Sequence, residues 1–488
     1  MLFRLSKSKL LSGIQCQKRL YLEVHQANLA EQGNAMARLL ANGNLVGEIA
    51  RRAYSKGRLI EHTADPAAAL TQTASILEGS GNMTLFEPAF QYGGALVRAD
   101  IFRRIGGKHN LIEVKSSTAV KDYHLNDAAI QYWVINGAGY SLKSVSIAVI
   151  DTTFVYQGNG DYGGLLKQMD VTDQLLELQQ QVPLWIKEFR KMLAGKMPRV
   201  AVGAQCTEPF ACPFMDYCHR NQPEYPVEIL PRAPKLAAAL RADGYKDLRE
   251  VPASRIEGTK HKLIWRVTKK GKPEIDPRVR QLTRDYAYPR FYLDFETVSF
   301  AVPIWKGTRP YQSLPFQWSC HVERDGGVIE HRAFIDTSGE PPMRAFAESL
   351  IKALGKSGPI LVYSPFEKGE ITKLAIRFPD LASPLNKLVV RIKDLLLVTQ
   401  NNYYHPAMKG SWGLKAVLPT IAPDLNYSGE VQDGNDAMDA YLQIIDATTT
   451  PERREQLKQE LLEYCKLDTL ALVRLVRFFA GVRVDVAE

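Results

Sequence analysis

The chain has 488 residues, of which 45% are hydrophobic and 24% are charged. These proportions exclude wholesale disorder and fit about two to four globular domains. No apolar run approaches the roughly 20 residues that span a bilayer, and the start of the chain, MLFRLSKSKLLSG, lacks the long apolar core of a signal peptide. We therefore expect a cytoplasmic protein that does not interact with membranes.

The net charge of +9 is concentrated in one central segment. Residues 229–290 contain 16 Lys and Arg against 7 Asp and Glu, whereas the rest of the chain has 46 basic and 46 acidic residues. Such a segment can attract polyanions through counterion release; a solvated connector is the alternative. Two Pro-containing polar stretches flank this segment, and they predict domains over 1–225 and 289–488 joined by a basic helical connector over 226–288.

The first part of the chain predicts helices around a group of strands. In chain order, the expected elements are a helix at 6–24, a helix at 34–54, strands at 83–91, 95–103 and 110–115, a helix at 124–137 and a strand at 144–150. Gly106 and Gly107 favour a hairpin turn between the second and third strands.

The last part of the chain begins with strands and ends with helices. The expected elements are strands at 291–296, 315–323 and 327–335, a helix at 343–354, a strand at 360–363 and a long helix at 451–480. This order is typical of a mixed α/β domain.

Three polar residues on neighbouring predicted strands form a first candidate site. Alternation places Glu113 and Lys115 on one face of their strand, and Asp100 lies on the preceding strand. Carboxylates can hold Mg²⁺ or Mn²⁺, and the lysine can orient a water or stabilise charge developing on phosphorus. A solvated hairpin that carries these residues by chance is the alternative.

This pattern, an Asp followed by Glu-x-Lys on a second strand, resembles the PD-(D/E)XK nuclease signature. The predicted helix with Gly43, Gly47 and Glu48 is similar to the first motif of the RecB-type branch, and this implies that Glu48 is a further metal ligand; a surface acid is the alternative. Gln131 resembles the start of that branch's Gln-x-x-x-Tyr motif, although Ile135 stands at the tyrosine position.

Four cysteines point to a second kind of metal chemistry. Cys206, Cys212 and Cys218 fall within thirteen residues, and Cys16 lies far upstream. Thiolates select zinc or iron–sulfur clusters, but a zinc ribbon has tight Cys-x-x-Cys pairs that this chain lacks. Four buried cysteines without a ligand are the other alternative, and Cys320 and Cys465 are predicted to be core residues.

The order of these motifs over residues 1–220 resembles the iron–sulfur nucleases of the RecB type. The resemblance implies a 4Fe–4S cluster that is bound by all four cysteines and closes the nuclease domain.

A third group of acidic residues lies near the end of the chain. In the predicted strand FYLDFET, Asp294 and Glu296 share one face, and Tyr464 and Asp468 share a face of the last helix. Two acids on one face of an apolar strand repel each other unless a cation lies between them. A solvated edge strand is the alternative.

Asp-x-Glu followed far downstream by Tyr-x-x-x-Asp resembles the DnaQ-like 3′→5′ exonucleases of the DEDDy type. The resemblance implies a two-metal site with Glu367 as the remaining acid, Asp394 as the reserve candidate, and Tyr464 positioning the attacking water. Glu367 stands where that family has an Asp.

Nearly the whole chain resembles an uncharacterised bacterial family in which a RecB-like half precedes a DnaQ-like half, with GSWGLKAVLP and YCKLDT among the shared stretches. The expected fold is therefore α/β: a PD-(D/E)XK restriction-endonuclease-like domain and a ribonuclease H-like exonuclease domain. Ser411 and Lys415 could contact phosphate, although a helix cap is the simpler interpretation.

Basic residues around an aromatic side chain can bind single-stranded nucleic acid. The candidates in the connector are Lys260, Lys262, Trp265, Arg266, Lys269, Lys270 and Lys272. The sequence thus predicts a metal-dependent nuclease with two separate sites that acts on DNA, in repair or in defence against foreign DNA. The alternatives are a nucleic-acid-binding scaffold with inactive sites and an RNA-processing exonuclease.

Overall fold

The computed structural model describes residues 5–31, 34–61 and 65–482. The protein is mixed α/β, as expected, and forms two compact units. One unit comprises residues 1–221 and 300–312, and the other comprises residues 222–299 and 313–488. Within the described residues, no helix combines the length and the apolarity that crossing a membrane requires.

The first unit is built on a six-stranded mixed sheet. Its strands are β1 Leu5–Ser6, β2 Arg58–Leu59, β3 Met83–Phe86, β4 Ala89–Tyr92, β5 Ala95–Arg98, β6 Ile101–Ile105, β7 Lys108–Lys115, β8 Leu142–Ile150 and β9 Leu166–Asp170. Its helices are α1 Lys7–Gln15, α2 Gln17–His25, α3 Asn34–Arg52, α4 Pro66–Leu77, α5 Asp122–Gly137, α6 Thr172–Leu176, α7 Gln181–Leu193 and α8 Met215–His219.

The sheet order is β2-β3-β6-β7-β8-β9, and a smaller sheet has the order β1-β5-β4. The parallel pair β7 and β8 is joined by α5, and the last four residues of β8, IAVI, are buried on both faces of the sheet. One main core packs α1, α5 and α7 together with side chains of the sheet such as Leu111 and Ile147. Helix α3 covers the other face, where Ala50 packs against Ile112 and Ala148.

Two predicted strands are each interrupted at matching positions. The predicted strand 83–91 forms β3 and β4, and the predicted strand 95–103 forms β5 and β6. Glu87 has a φ of +56°, and Pro88 has no N–H to donate, so pairing cannot run straight through this point. The two strands therefore leave one sheet and join the other at Glu87 and Asp100.

The second unit contains the remaining elements. Its strands are β10 Glu274–Ile275, β11 Arg290–Val298, β12 Leu314–Glu323, β13 Ile329–Ile335, β14 Ile360–Val362, β15 Ile392–Asp394 and β16 Tyr403–Tyr404. Its helices are α9 Pro234–Ala242, α10 Thr259–Lys270, α11 Arg278–Arg284, α12 Met343–Leu354, α13 Phe366–Arg377, α14 Ala382–Val389, α15 Leu395–Asn402, α16 Leu414–Ile421, α17 Gly434–Ile445 and α18 Pro451–Ala480.

A five-stranded sheet with the order β13-β12-β11-β14-β15 organises this unit. Strand β11 pairs antiparallel with β12 and parallel with β14, so it is a central strand and not the solvated edge strand of the alternative interpretation. Helix α18 packs across β11 and β12, and α17 packs on β11. This packing brings the last helix of the chain against the central strand of the sheet.

The basic segment 226–288 lies within the second unit. Its apolar side chains, among them Val227, Leu240 and Val267, share one hydrophobic core with Tyr292 of β11 and Leu472 of α18. The connector therefore has no separate core among the described residues.

Candidate active sites

In the first unit, Asp100, Glu113 and Lys115 line one cavity of about 270 Å³. Asp100 lies between β5 and β6, and its Oδ2 accepts a hydrogen bond of 2.6 Å from the backbone N–H of Val114. This bond holds the Asp100 carboxylate beside β7. Glu113 lies on the same face of β7 as Lys115, as alternation predicts, and it is only 1% exposed. The three residues of the predicted motif thus come together at one end of the sheet.

Two residues that the sequence did not single out complete the polar network. Lys7 Nζ lies 2.8 Å from Glu113 Oε1 and 3.1 Å from Asp127 Oδ1. Lys115 Nζ lies 2.7 Å from Glu113 Oε1 and 2.5 Å from Asp127 Oδ2. Two carboxylates and two ammonium groups therefore neutralise one another in a buried cluster.

Gln131 belongs to the same network. Its Nε2 donates to Glu113 Oε2 at 2.7 Å and to Asp127 Oδ1 at 3.1 Å, and the side chain is fully buried. Its Oε1 is buried without a hydrogen-bond partner in the described part of the chain. Asp127 precedes Gln131 by four residues, so the i, i+4 spacing on α5 is the signal that could have found it.

The electrostatics of this cluster keep its ammonium groups charged. Burial lowers the pKa of Lys115, but the carboxylates of Asp127 and Glu113 outweigh burial and hold it well above the usual value. Burial and the charge of Glu113 raise the pKa of Asp100 to about 7. An additional cation beside Asp100 would therefore stabilise its charged form.

Glu48 lies away from this cavity. Its side chain is 52% exposed, and its Oε1 lies 2.7 Å from Arg52 Nη2, one helical turn away. Gly43, Gly47 and Arg51 of the same helix line the cavity instead. The structure therefore does not bring Glu48 to Asp100 and Glu113, because it sits one residue off the helix face that the two glycines define.

The four predicted cluster cysteines line one small cavity in the first unit, together with Leu22 and Phe214 among its apolar lining residues. Cys16 has extended backbone and divides the predicted helix 6–24 into α1 and α2. Gln15 Nε2 donates to the carbonyls of Gln205 and Phe210, at 2.8 and 2.7 Å, and this joins α1 to the cysteine loop.

Among the described residues, the potential metal ligands whose atoms all lie within 4.8 Å of one another are Asp294, Glu296 and Cys465, and these do not include the four cluster cysteines. Burial raises the pKa of the Cys206 and Cys212 thiols, and the neighbouring sulfurs add to this effect.

In the second unit, acidic side chains from one strand and two helices converge. Asp294 and Glu296 lie on the central strand β11, Glu367 lies in the first turn of α13, and Asp468 lies on α18. Glu296, Glu367 and Asp468 are each at most 7% exposed. The predicted residues that are more than 170 positions apart in sequence thus meet in one buried group.

Burial is the main reason that these carboxylates hold protons. Burial and the charge of Asp468 raise the pKa of Glu296 to about 8, and burial raises that of Glu367 to about 7. Burial, Asp468, Glu296 and Glu367 together raise the pKa of Asp294 far above its usual value. The mutual repulsion shows that the four groups act on one another and that a cation would relieve it.

Two tyrosines and a lysine lie over these acids. Tyr427 donates its hydroxyl to Asp468 Oδ1 at 2.5 Å, and Tyr464 is 5.7 Å from Tyr427 between ring centroids. Burial and Asp468 raise the pKa of Tyr464 well above its usual value, so its hydroxyl keeps its proton. Lys415 Nζ lies 5.1 and 5.2 Å from the two ring centroids, and its charge lowers the pKa of both Glu296 and Asp468.

Cys465, which the sequence placed in the core, is buried and also contacts the acids. Its Sγ lies 3.4 Å from Asp294 Oδ2. Asp394, the reserve candidate, caps α15 by accepting from the N–H groups of Leu396 and Leu397. Ser411 accepts a hydrogen bond from the N–H of Gly413, but Gly413 is itself the N-cap of α16 and the helix has no side-chain cap, so the predicted helix cap at Ser411 is wrong.

The basic candidates of the connector have divided roles. Lys262, Lys269, Lys270 and Lys272 are exposed. Trp265, by contrast, packs against the core and donates Nε1–H to the carbonyl of Val251 at 2.8 Å, so its indole is committed to the fold. Arg266 forms a two-point contact with Glu274, and Lys260 donates to Gln400 Oε1 at 2.7 Å.

Comparison with known families adds one match. A family model described as a domain of unknown function (DUF2779) matches residues 291–413. This range contains Asp294, Glu296 and Glu367, whereas Tyr464 and Asp468 lie beyond it. No curated protein matches the chain.

Proposed function

We propose that this protein is a metal-dependent nuclease with two active sites, one in each compact unit. The observation that carries the proposal is the convergence of Asp294, Glu296, Glu367 and Asp468 in one buried group. Buried like charges are costly unless a cation lies among them. Carboxylate oxygens at such density are the donors that Mg²⁺ and Mn²⁺ prefer.

The donor set of the second site fits divalent cations. Asp294, Glu296, Glu367 and Asp468 would hold them, and the bound metals would polarise a phosphodiester and supply a nucleophilic water. Tyr464 keeps its proton and can hold that water through its hydroxyl. Lys415 places a positive charge beside the acids, where it can contact a phosphate oxygen. These roles support a DEDDy-type 3′→5′ exonuclease in a ribonuclease H-like domain.

The first site supports a PD-(D/E)XK-type nuclease. Asp100 and Glu113 would hold Mg²⁺ or Mn²⁺. Lys115 stays protonated and can stabilise charge developing on phosphorus. Gln131 donates a hydrogen bond to Glu113 Oε2 and so holds that carboxylate in place. Lys7 supplies a second positive charge that this family pattern did not imply.

The four cysteines support a 4Fe–4S cluster in the first unit. The four residues line one small cavity, and the chain lacks the tight Cys-x-x-Cys pairs of a zinc ribbon. In a cubane each thiolate would bind a different iron, so no tight pair is required. Cys16 and the loop of residues 206–218 come from the two ends of the unit, so a cluster would hold those ends together.

Cleavage of end-labelled DNA and RNA oligonucleotides in Mn²⁺ tests the proposal. Wild type should shorten 3′ ends stepwise, and the comparison of matched DNA and RNA decides which sugar is preferred. Asp294→Ala, Lys115→Ala and the double variant assign any cleavage to its site, with Lys356→Ala as a surface control. Folded wild type that binds nucleic acid but cleaves neither polymer would contradict a nuclease and favour a binding scaffold.

A further inference from the structure

Glu87 is a third carboxylate in the cavity of the first site, and the sequence pattern did not mark it. It lies in the break between β3 and β4, directly opposite the break that holds Asp100. The backbone N–H of Glu87 donates to the carbonyl of Asp100 at 3.2 Å, and the N–H of Ala99 donates to that of Pro88 at 3.1 Å. These bonds fix Glu87 and Asp100 as cross-strand neighbours.

The side chain of Glu87 lines the same cavity as Asp100, Glu113 and Lys115. Burial and the charge of Glu113 raise the pKa of Glu87, whereas Arg98 lowers it. The ion pair with Arg98 is long, at 3.7 Å from Nε to Oε2, and Arg98 Nε is buried without a hydrogen-bond partner within the described ranges. Arg98 therefore offsets the charge of Glu87 only in part.

The backbone at Glu87 is held in an uncommon conformation. Its φ of +56° is in the left-handed region that glutamate rarely adopts. The following Pro88 cannot continue the strand pairing, so the chain turns here and presents Glu87 beside Asp100. Glycine would suit this backbone better than glutamate does.

We propose that Glu87 is the third carboxylate ligand of the divalent metal in the first site, in the role that family resemblance gives to Glu48. The inference rests on the proposed nuclease function of that site. Asp100, Glu113 and Glu87 surround one cavity, whereas Glu48 points away and pairs with Arg52. Gly43 and Gly47 leave open space on the facing side of α3, since an added Cβ would meet nothing closer than 3.8 Å.

Calorimetric titration with Mn²⁺ tests the assignment in the full-length chain. The background carries Asp294→Ala and Asp468→Ala, so that heat from the second site is suppressed. Glu87→Gln should weaken Mn²⁺ binding at least tenfold, as should Glu113→Gln. Glu48→Gln and the exposed control Glu78→Gln should stay within about twofold of the background.

Two further readouts separate the possible failures. Thermal unfolding in chelator, with Glu87→Asp as a second variant, distinguishes loss of a ligand from loss of the fold. Weak binding with Glu48→Gln and unchanged binding with Glu87→Gln would overturn the assignment. If the background bound no Mn²⁺ and wild type showed no Lys115-dependent cleavage, the proposed function of the first site would fail, and the role of Glu87 with it.

Discussion

At the scale of single residues, the proposed second site contains two kinds of polar group, carboxylates that would bind metal and a tyrosine that would position water. Asp294, Glu296 and Asp468 offer carboxylate oxygens, whereas Tyr464 offers a hydroxyl whose proton is held by burial and by the charge of Asp468. Tyr427 donates its hydroxyl to Asp468 Oδ1, and the hydroxyl of Tyr464 also interacts with the Asp468 carboxylate and lowers its pKa. Each role leads to its own expected outcome.

Tyr464→Phe should retain Mn²⁺ affinity within about twofold and slow 3′-end trimming roughly 100-fold, because the substitution removes only the hydroxyl that holds the water. Single-turnover trimming and Mn²⁺ titration measure the two effects. Tyr441→Phe is a matched control, since the Tyr441 hydroxyl is buried without a partner in the described structure. Equal losses in both variants would count against a positioning role for Tyr464.

The acids of the second site also predict how stability depends on pH. Their folded-state pKa values are raised, to about 8 for Glu296 and about 7 for Glu367. Such groups stabilise the fold below their ordinary pKa, near 4.5, and this contribution is lost as the pH rises towards 8. In chelator, the temperature of the unfolding midpoint should therefore decrease as the pH is raised from about 5 to about 8. Mn²⁺ should restore the higher midpoint temperature.

Glu296→Gln gives the matching comparison for this pH dependence. Without metal it should be more stable than wild type at about pH 8 and should respond less to pH, because one buried charge has been removed. Glu463→Gln, an exposed acid on the same helix as Asp468, should behave like wild type. A midpoint that rises with pH in metal-free wild type would contradict the raised pKa values.

At the scale of elements, local patterns predicted much, and breaks in elements were missed. Helix 451–480 and the strand of Asp294 follow the predicted periods because their apolar spacing is regular. The break between α1 and α2 at Cys16 was not predicted, and neither were the strand breaks at Glu87 and Asp100. Each break depends on tertiary contacts, such as which of two sheets the strands on either side join. Lys7 reaches Glu113 through the path of α1, and no local spacing encodes that contact.

The proposed 4Fe–4S cluster includes Cys16, which lies at the break between α1 and α2. Protein purified without oxygen should be brown and contain about four irons per chain. Cys212→Ser should lose the colour and lower the thermal stability of the first unit, because the proposed cluster would join Cys16, at the end of α1, to the loop of residues 206–218. As a control, a Cys320→Ala variant, which changes a core cysteine in β12, should contain as much iron as wild type. Stoichiometric zinc without iron would contradict the proposed cluster.

The basic segment predicts an electrostatic role for α10 and its end. Charge reversal of Lys269, Lys270 and Lys272 should weaken binding of single-stranded nucleic acid and flatten its salt dependence. Reversal of Lys352, Lys356 and Lys387, which are also exposed, is the control. Fluorescence anisotropy at several salt concentrations measures both quantities, and unchanged binding would exclude this surface.

At the scale of the whole molecule, the two sites draw on separate sets of residues. The acids of the first site precede residue 132, and those of the second follow residue 290. Asp294→Ala should therefore abolish stepwise 3′-end trimming and leave Lys115-dependent cleavage, and Lys115→Ala should do the reverse. A folded single variant that had lost every activity would favour one composite site or one inactive unit.

The segment 300–312 has a consequence for how the chain is made. Ala301 and Val302 pack with Val46, Ile49 and Ile150, and the backbone of Tyr156 exchanges hydrogen bonds with residues of this segment. The first unit therefore cannot complete its packing on the ribosome until β11 of the second unit has been synthesised. A fragment ending at residue 221 should unfold at a lower temperature than the full-length chain, and a fragment starting at residue 222, which keeps the core of the second unit, should expose Ala301 and Val302 and aggregate.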